Sequence, residues 1–289
     1  MELGKVGIWW SGTWSGSDRS PGAAATEMES LGYGALWSSG GFEPGFPDRF
    51  GRLLDATEQL AVASGILSIW HATPEQAADG AAALEVAHPG RFLLGLGTSH
   101  APIVEQLGTG YIHPYTRMVH YLDELDALDP AVAADRRVLA ALGPRMLTLA
   151  AERAAGAHPY FVPVEHVARA RRLVGPGPLL APELAVVLEV DRLVARTTAR
   201  EYAAGYLRLP NYTNNLRTLG FDDDDLEGGG SDRLVDAVVA WGDAAAIADR
   251  VRAFQDAGAD HVCVQVVADR SQGFPFDTYR ELAAALIGG

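Results

Sequence analysis

Short apolar runs alternate with longer stretches whose apolar positions recur at helical spacing, almost from end to end of the chain. The runs predict strands at Lys5–Trp9, Ala35–Ser38, Ala63–Ile69, Phe92–Gly97, Arg137–Ala141, Ala157–Phe161, Leu184–Leu188 and His261–Val267. The stretches between them predict helices at Pro21–Leu31, Asp48–Leu60, Pro74–Ala87, Pro114–Leu128, Pro144–Ala154, Val164–Val174, Leu193–Leu207 and Ala244–Ala257, with a terminal helix at Tyr279–Ile287. The strand runs are apolar throughout rather than alternating, as in parallel strands covered on both faces. Thr73-Pro74-Glu75-Gln76 supplies an N-cap, a proline in the first helical turn and a capping-box glutamine. Gly156 and Gly258 stand where helices should stop. Eight strands alternating with eight helices predict an α/β protein, a closed (β/α)8 TIM barrel forming one domain over residues 1–289. An open doubly wound sheet would need a dinucleotide fingerprint after its first strand, and Gly12, Gly16 and Gly22 lack that spacing.

One segment breaks the alternation. Tyr206–Leu234, between the seventh and eighth strands, carries LPNYTNN, then Asp222–Asp225 and Gly228–Gly230. It reads as a long functional or irregular insertion. A calcium loop starting at Asp223 would need glutamate where Leu234 stands, so the acidic run reads as a solvated turn. Asn211, Tyr212 and Asn214 are candidates for a lid, or for a packed connecting loop.

Charge narrows the partners. The 23 basic and 37 acidic residues leave a net charge of −14, which disfavours nucleic acid and anionic membranes. No apolar run approaches the roughly 20 residues of a membrane helix, and MELGKVGIWW lacks the regions of a signal peptide. A soluble cytoplasmic protein with a small-molecule substrate is the expectation. The single cysteine, Cys263, sits in the apolar run HVCVQVV and reads as a buried core residue.

In a β/α barrel the C-terminal strand ends face one shared cavity. VASGILSIWHATP and RFLLGLGTSH each end in small residues and a histidine, so His71 and His100 are candidate proton donors. Ser64-Gly65-Ile66 places a glycine inside an apolar strand, marking a bulge or a close approach by ligand. Trp70 ends that strand, and Trp9 and Trp10 end the first; a barrel should aim at least one of the latter pair at the mouth. Leu142-Gly143-Pro144-Arg145-Met146 is a strand-to-helix turn whose free N–H groups suit a phosphate, with Arg145 adding charge. GLGTSH departs from a G-x-G-x-x-G fingerprint at His100. No H-E-x-x-H, paired Cys-x-x-Cys or nucleophile elbow is present, so no metal site is expected.

The succession VASGILSIWHATP, HPGRFLLGLGTSH and LAALGPRMLTLAAERAAGAHPYF resembles the bacterial-luciferase-like superfamily, on its coenzyme F-420 (deazaflavin) branch, along the whole chain. The resemblance implies a barrel, commonly a homodimer, that binds a flavin or deazaflavin at its mouth. It implies a non-proline cis peptide at Ser64–Gly65 or Gly65–Ile66 behind the ring, with Gly97, Thr98 and Ser99 at the ring edge. Gly143, Pro144, Arg145 and Met146 would then hold the phosphate. His100 stands where the sugar-phosphate dehydrogenases of that branch carry an acidic residue. Their Asp-His pair and tryptophan after strand two fall on Gly40, Gly41 and Gly45, aligned through Phe42 and Pro44, which argues against that activity. Glycine there would open the site to a bulkier substrate or accompany a different reaction direction.

The implied function is hydride transfer between deazaflavin C5 and a C=C, C=O or C=N substrate, with His100, His71 or Tyr115 as proton donor and Trp10, Trp70, Asn211 and Tyr212 against the substrate. An FMN-dependent monooxygenase, a non-catalytic deazaflavin-binding protein and a sugar or phosphate isomerase based on Glu43 or Glu183 are the alternatives.

Overall fold

The computed structural model describes residues 1–10, 21–40, 45–106, 108, 110–267 and 273–288. Its strands are β1 (Val6–Trp10), β2 (Ala35–Ser38), β3 (Ala61–Ser64), β4 (Leu67–Ser68), β5 (Phe92–Gly97), β6 (Arg137–Leu139), β7 (Gly156–Ala157), β8 (Leu179–Leu180), β9 (Glu183–Leu188), β10 (Val239–Gly242) and β11 (Val262–Val266). Every pairing among them is parallel, in the order β10-β9-β11-β1-β2-β3-β5-β6-β7-β8, with β4 added to β5.

The sheet closes through the stretch that holds β8 and β9. On one edge Ala181 N–H donates to Ala157 O and Glu183 N–H to Pro159 O, each at 2.9 Å; on the other, Cys263 N–H donates to Pro182 O at 2.9 Å. The expected (β/α)8 barrel is therefore present. β10 lies outside the ring, hydrogen-bonded to β9. It and β8 are additions to the predicted strands.

Side-chain alternation sorts the barrel into two cores. Trp9, Ala35, Trp37, Ala61, Ala63, Leu93, Val138 and Cys263 form the interior cluster, while Ile8, Trp10, Leu36 and Val62 point outward to the helices. The three small alanines leave room for Trp37, which is fully buried. Trp10 belongs to the outer set, its ring centroid 5.1 Å from that of Phe274, so the residue at the mouth is Trp9 and not Trp10. Cys263 is buried as expected.

Local signals formed as read at several places. Thr73 and Gln76 make the reciprocal capping box, with N···O distances of 3.3 and 3.0 Å. Gly258 follows the helix Ala244–Asp256 at φ +109°. Gly156 differs: it belongs to β7, and a Cβ on it would come within 1.9 Å of Leu179 O.

The late insertion is helical rather than irregular, with helices at Pro210–Arg217, Asp223–Leu226 and Asp232–Val238. Nor is its acidic run simply solvated. Asp225 is buried, shares a capping box with Asp222, and is bonded to Ser231 and Arg233. Those partners hold its carboxyl below the usual range. No helix of the described residues is long and apolar enough to cross a membrane, and the described residues hold no cluster suited to a metal ion.

Candidate active site at the barrel mouth

A cavity of about 360 Å³ opens at the C-terminal ends of the strands, bounded by the β3–β4 break, the segments after β5 and β6, and the insertion. Its floor is the Gly65–Ile66 peptide, which is cis, one of the two positions expected. Gly65 is required there, because a Cβ would come within 2.4 Å of Trp9 Nε1. The Ser64 hydroxyl, by contrast, does not reach the cavity. It spans the break by donating to Gly95 O at 2.9 Å and accepting from Gly95 N–H at 2.8 Å, so its role is to hold β3 to β5. Gly95 must lack a side chain, since a Cβ would meet Ser64 O at 1.9 Å.

Gly40 supports the same break. Its N–H donates to Ile66 O at 3.1 Å, and a Cβ would lie 2.6 Å from the Ile66–Leu67 backbone. Glycine at that position thus serves the floor of the site rather than opening space for substrate. Gly45 precedes the helix Phe46–Asp55 at φ +104°. Gly41, Phe42, Glu43 and Pro44 lie outside the described residues.

Thr98, Ser99 and His100 form one wall, and Ser99 holds a left-handed φ of +55°, unusual for a residue with a Cβ. Gly97 lies beneath Ile66, whose Cδ1 is 2.6 Å from where a Gly97 Cβ would stand. His100 is hydrogen-bonded to the Asn211 side chain, and its ring centroid is 5.4 Å from that of Tyr212. Burial lowers its pKa, against the opposing effect of Asn211. Asn211 and Tyr212 both line the cavity, while Asn214 is exposed and outside it.

The remaining candidates sit elsewhere. Trp70 donates from Nε1 to Thr98 O at 2.8 Å and packs near Tyr111, bracing the wall from behind. His71 lies in the turn that follows and does not line the cavity. Tyr115 is also outside it, covered by the Arg145 guanidinium at 3.9 Å from the ring centroid. Neither is placed to give a proton to a molecule in this cavity. Of the phosphate turn, Gly143 and Met146 line the cavity; Pro144 and Arg145 do not.

Gly143 is the N-cap of the helix Pro144–Arg153 with φ −77° and ψ 155°, and no side chain caps it. A Cβ there would meet nothing within 4 Å. The backbone donors of this first turn are therefore open to an anion at the cavity edge.

Among the described residues, three buried nitrogens on the cavity lining have no hydrogen-bond partner: Trp9 Nε1, His158 Nε2 and His100 Nδ1. His158 is held with care. Its Nδ1 lies 2.6 Å from Ala181 O and must donate, leaving Nε2 as an acceptor. Its ring stacks on Trp37 at 4.4 Å, and Trp37 Nε1–H donates to His261 Nε2 at 3.1 Å. Burial pushes both histidines down to about 4, so both are neutral at pH 7. Sequence reasoning passed over His158, although AHPYF ends a strand in histidine just as the runs at His71 and His100 do. Orphaned buried polar atoms are rare in folded proteins, and on a cavity lining they are groups that a bound ligand or water can satisfy.

The model of the luciferase-like monooxygenase family matches residues 19–261. Among solved structures, an F-420-dependent secondary alcohol dehydrogenase in complex with an F-420–acetone adduct is similar at TM-score 0.67 and 15% identity, covering 98% of each chain. The coenzyme F-420-dependent tetrahydromethanopterin reductase from Methanopyrus kandleri gives 0.66 and 15%, covering 97% of each. A type II Baeyer-Villiger monooxygenase, the oxygenating constituent of 3,6-diketocamphane monooxygenase from Pseudomonas putida in complex with FMN, gives 0.66 and 14%, covering 96% of each. At these identities the likeness is one of fold. A search among curated proteins found no match.

Proposed function

Because the chain belongs to the luciferase-like monooxygenase family, we propose that it is a coenzyme F-420-dependent oxidoreductase that passes a hydride between deazaflavin C5 and a small organic substrate bearing a C=C, C=O or C=N bond. The observation that carries this reading is the pairing of an uncapped helix N-terminus at Gly143 with unpartnered nitrogens on one cavity. Together they fit a ligand with an anionic tail and a polar ring. Gly143 and Met146 would hold the phosphate through backbone donors, and Gly65, Ile66, Thr98 and Ser99 would meet the ring.

When bound, the deazaflavin supplies a two-electron hydride donor or acceptor. The chain's own part is to hold the reactants together and keep water out. His100, neutral because of its burial and fixed by Asn211, is placed to hydrogen-bond to a substrate oxygen or nitrogen. Tyr212 and Tyr206 close the cavity from the insertion side. Homodimer formation and a cytoplasmic location belong to the same reading.

FMN is the second reading, favoured by the family description and by the FMN complex among the structures of similar fold. The same phosphate cradle serves it, and the protein would then be a monooxygenase. Fluorescence titration of the purified protein separates the two. Quenching of F-420 fluorescence without FMN binding supports the first, the converse supports the second, and binding of neither overturns both. Turnover of an activated enone or imine with the reduced coenzyme distinguishes an enzyme from a mere carrier.

A further inference from the structure

Glu183 is 1% exposed, and the proposed oxidoreductase function gives it no role. It opens β9 inside the barrel, beside Cys263 of β11 in the strand register. Phe161 N–H donates to its Oε2 at 3.1 Å, and its Oε1 lies 3.2 Å from the Tyr202 hydroxyl. That hydroxyl is 3.3 Å from the hydroxyl of Tyr160, which is 2.7 Å from that of Tyr206 and 2.7 Å from Gln265 Oε1. Tyr160 and Tyr206 both line the cavity.

Counting hydrogens along this chain decides its charge state. Tyr160 donates to Gln265, so Tyr206 donates to Tyr160. With Glu183 ionised, Tyr202 must give its only hydrogen to the carboxylate, and the Tyr202–Tyr160 contact is left with two facing lone pairs. With Glu183 protonated, the carboxyl donates to Tyr202, Tyr202 donates to Tyr160, and each of these two contacts holds one hydrogen. Among the described residues, the titratable groups that face Glu183 are Tyr160, Tyr202, Tyr212, Tyr279 and Cys263, with Tyr206 next to Tyr202. Those are phenols and a thiol, with no cation among them. Burial pushes the Glu183 carboxyl up to about 8.

We infer that Glu183, Tyr202, Tyr160 and Tyr206 form a proton relay that stores one proton on Glu183 and releases it into the cavity through the Tyr206 hydroxyl. The inference rests on the oxidoreductase reading for its use. In a reduction, a bound reduced deazaflavin would supply a hydride to one atom of the substrate double bond, and the electron pair of that bond would move to the other atom. The Tyr206 hydroxyl would turn from Tyr160 to the substrate, its O–H bond breaking as its proton joins that second atom. Tyr160 would turn from Gln265 to Tyr206, so that Tyr206 takes the Tyr160 proton, Tyr160 that of Tyr202, and Tyr202 that of Glu183. The substrate has then gained a hydride and a proton, and Glu183 is a carboxylate. Water entering after product release returns the proton along the same chain in reverse. Tyr160 and Tyr206 are the members that touch the cavity; Glu183 and Tyr202 act through them.

The test uses the whole protein carrying 13C at tyrosine Cζ and glutamate Cδ, read by NMR across pH 5–10 without cofactor. Glu183 should titrate near pH 8, and the Tyr202, Tyr160 and Tyr206 signals should move with the same midpoint. Glu183→Gln should abolish that shared movement. Tyr160→Phe should uncouple Tyr206 while Tyr202 still follows Glu183. A carboxyl that only fills space would leave Tyr206 unmoved. A Glu183 midpoint below pH 6, or a Tyr206 signal that ignores it, overturns the relay. With reduced F-420 and 2-cyclohexen-1-one, single-turnover reduction should fall at least about ten-fold in Glu183→Gln and lose its decline above pH 8, with F-420 affinity unchanged. Failure of F-420 to bind would sink the functional reading and leave the NMR result to decide the relay.

Discussion

Replacing Gly143 by aspartate separates two properties that a damaged site would lose together. The backbone at Gly143 already has an N-cap conformation, and the space beyond its missing Cβ is empty to 4 Å. An aspartate there accepts from the free N–H groups of Arg145 or Met146 without moving its neighbours. Relative to glycine it adds a few tenths of a kcal/mol as a cap, and its charge at the helix start adds about 0.3–1 kcal/mol. The sum is a gain of about 0.5–1 kcal/mol, or roughly 1–3 °C in Tm for a chain of this size. The same carboxylate takes the donors that a phosphate needs and repels it. Losing one or two charged hydrogen bonds costs about 3 kcal/mol, more than a hundred-fold in Kd. Differential scanning calorimetry and fluorescence titration with F-420 and FMN measure the pair, with Gly143→Ala as the neutral control. Wild-type affinity for the cofactor in Gly143→Asp would refute the phosphate cradle. A fall in Tm would show instead that this helix start is already satisfied.

The other predictions concern the floor and the interior. Ser64→Ala removes both hydrogen bonds across the β3–β4 break and orphans the Gly95 backbone. It should cost about 3 kcal/mol in urea unfolding, and a loss below about 0.5 kcal/mol would show that Ser64 does not hold the break. The rise of Glu183 from an ordinary 4.5 to about 8 is worth at most roughly 5 kcal/mol at about 1.4 kcal/mol per pH unit. Because the folded pKa is the higher one, that contribution is complete below pH 4.5 and gone above about pH 8. Glu183→Gln should therefore flatten the decline in stability between pH 5 and 8; parallel wild-type and variant curves contradict it. Trp9→Phe keeps the ring but deletes the unpartnered donor. It should weaken whichever cofactor the wild type binds about ten-fold, equal to about 1.4 kcal/mol, and unchanged affinity would place the ring edge away from Trp9.

The parts of the fold that were legible are those where one signal dominates. Ala35–Ser38 and Phe92–Gly97 came out at their predicted bounds because each is an apolar run cut off by small or polar residues. The predicted strands at Arg137–Ala141 and Ala157–Phe161 are shorter in the structure. Their last residues leave the ladder to line the cavity, which apolar content alone does not reveal. β8 was hidden because Pro182 splits it from β9, and β10 because its four residues merge into the preceding helix pattern. Choosing between Trp9 and Trp10 required the register, since one residue of slip exchanges the two faces of a strand. The cis peptide position came from resemblance and not from any local physical signal.

The insertion shows why the site could not be assembled from strand ends alone. Asn211 and Tyr212 reach the cavity from an eight-residue helix, PNYTNNLR, too short and polar for periodicity to give warning of it, while Tyr206 reaches it from the end of the long helix Arg192–Tyr206. Below them the barrel is sealed by Trp37, His158 and His261, whose hydrogen bonds are satisfied except at the single nitrogen facing upward. A ligand therefore meets a rigid neutral floor and a wall of phenols borne by added helices. The floor descends from β1, β3 and β7 and is fixed by backbone contacts that tolerate no Cβ at Gly65 or Gly95. On the proposed reading, substrate choice would reside largely in the insertion, where side chains can change without disturbing the ladder. Exchanging Tyr212 should alter which substrates are accepted far more than it alters cofactor affinity, whereas changes at Gly65 should destroy both.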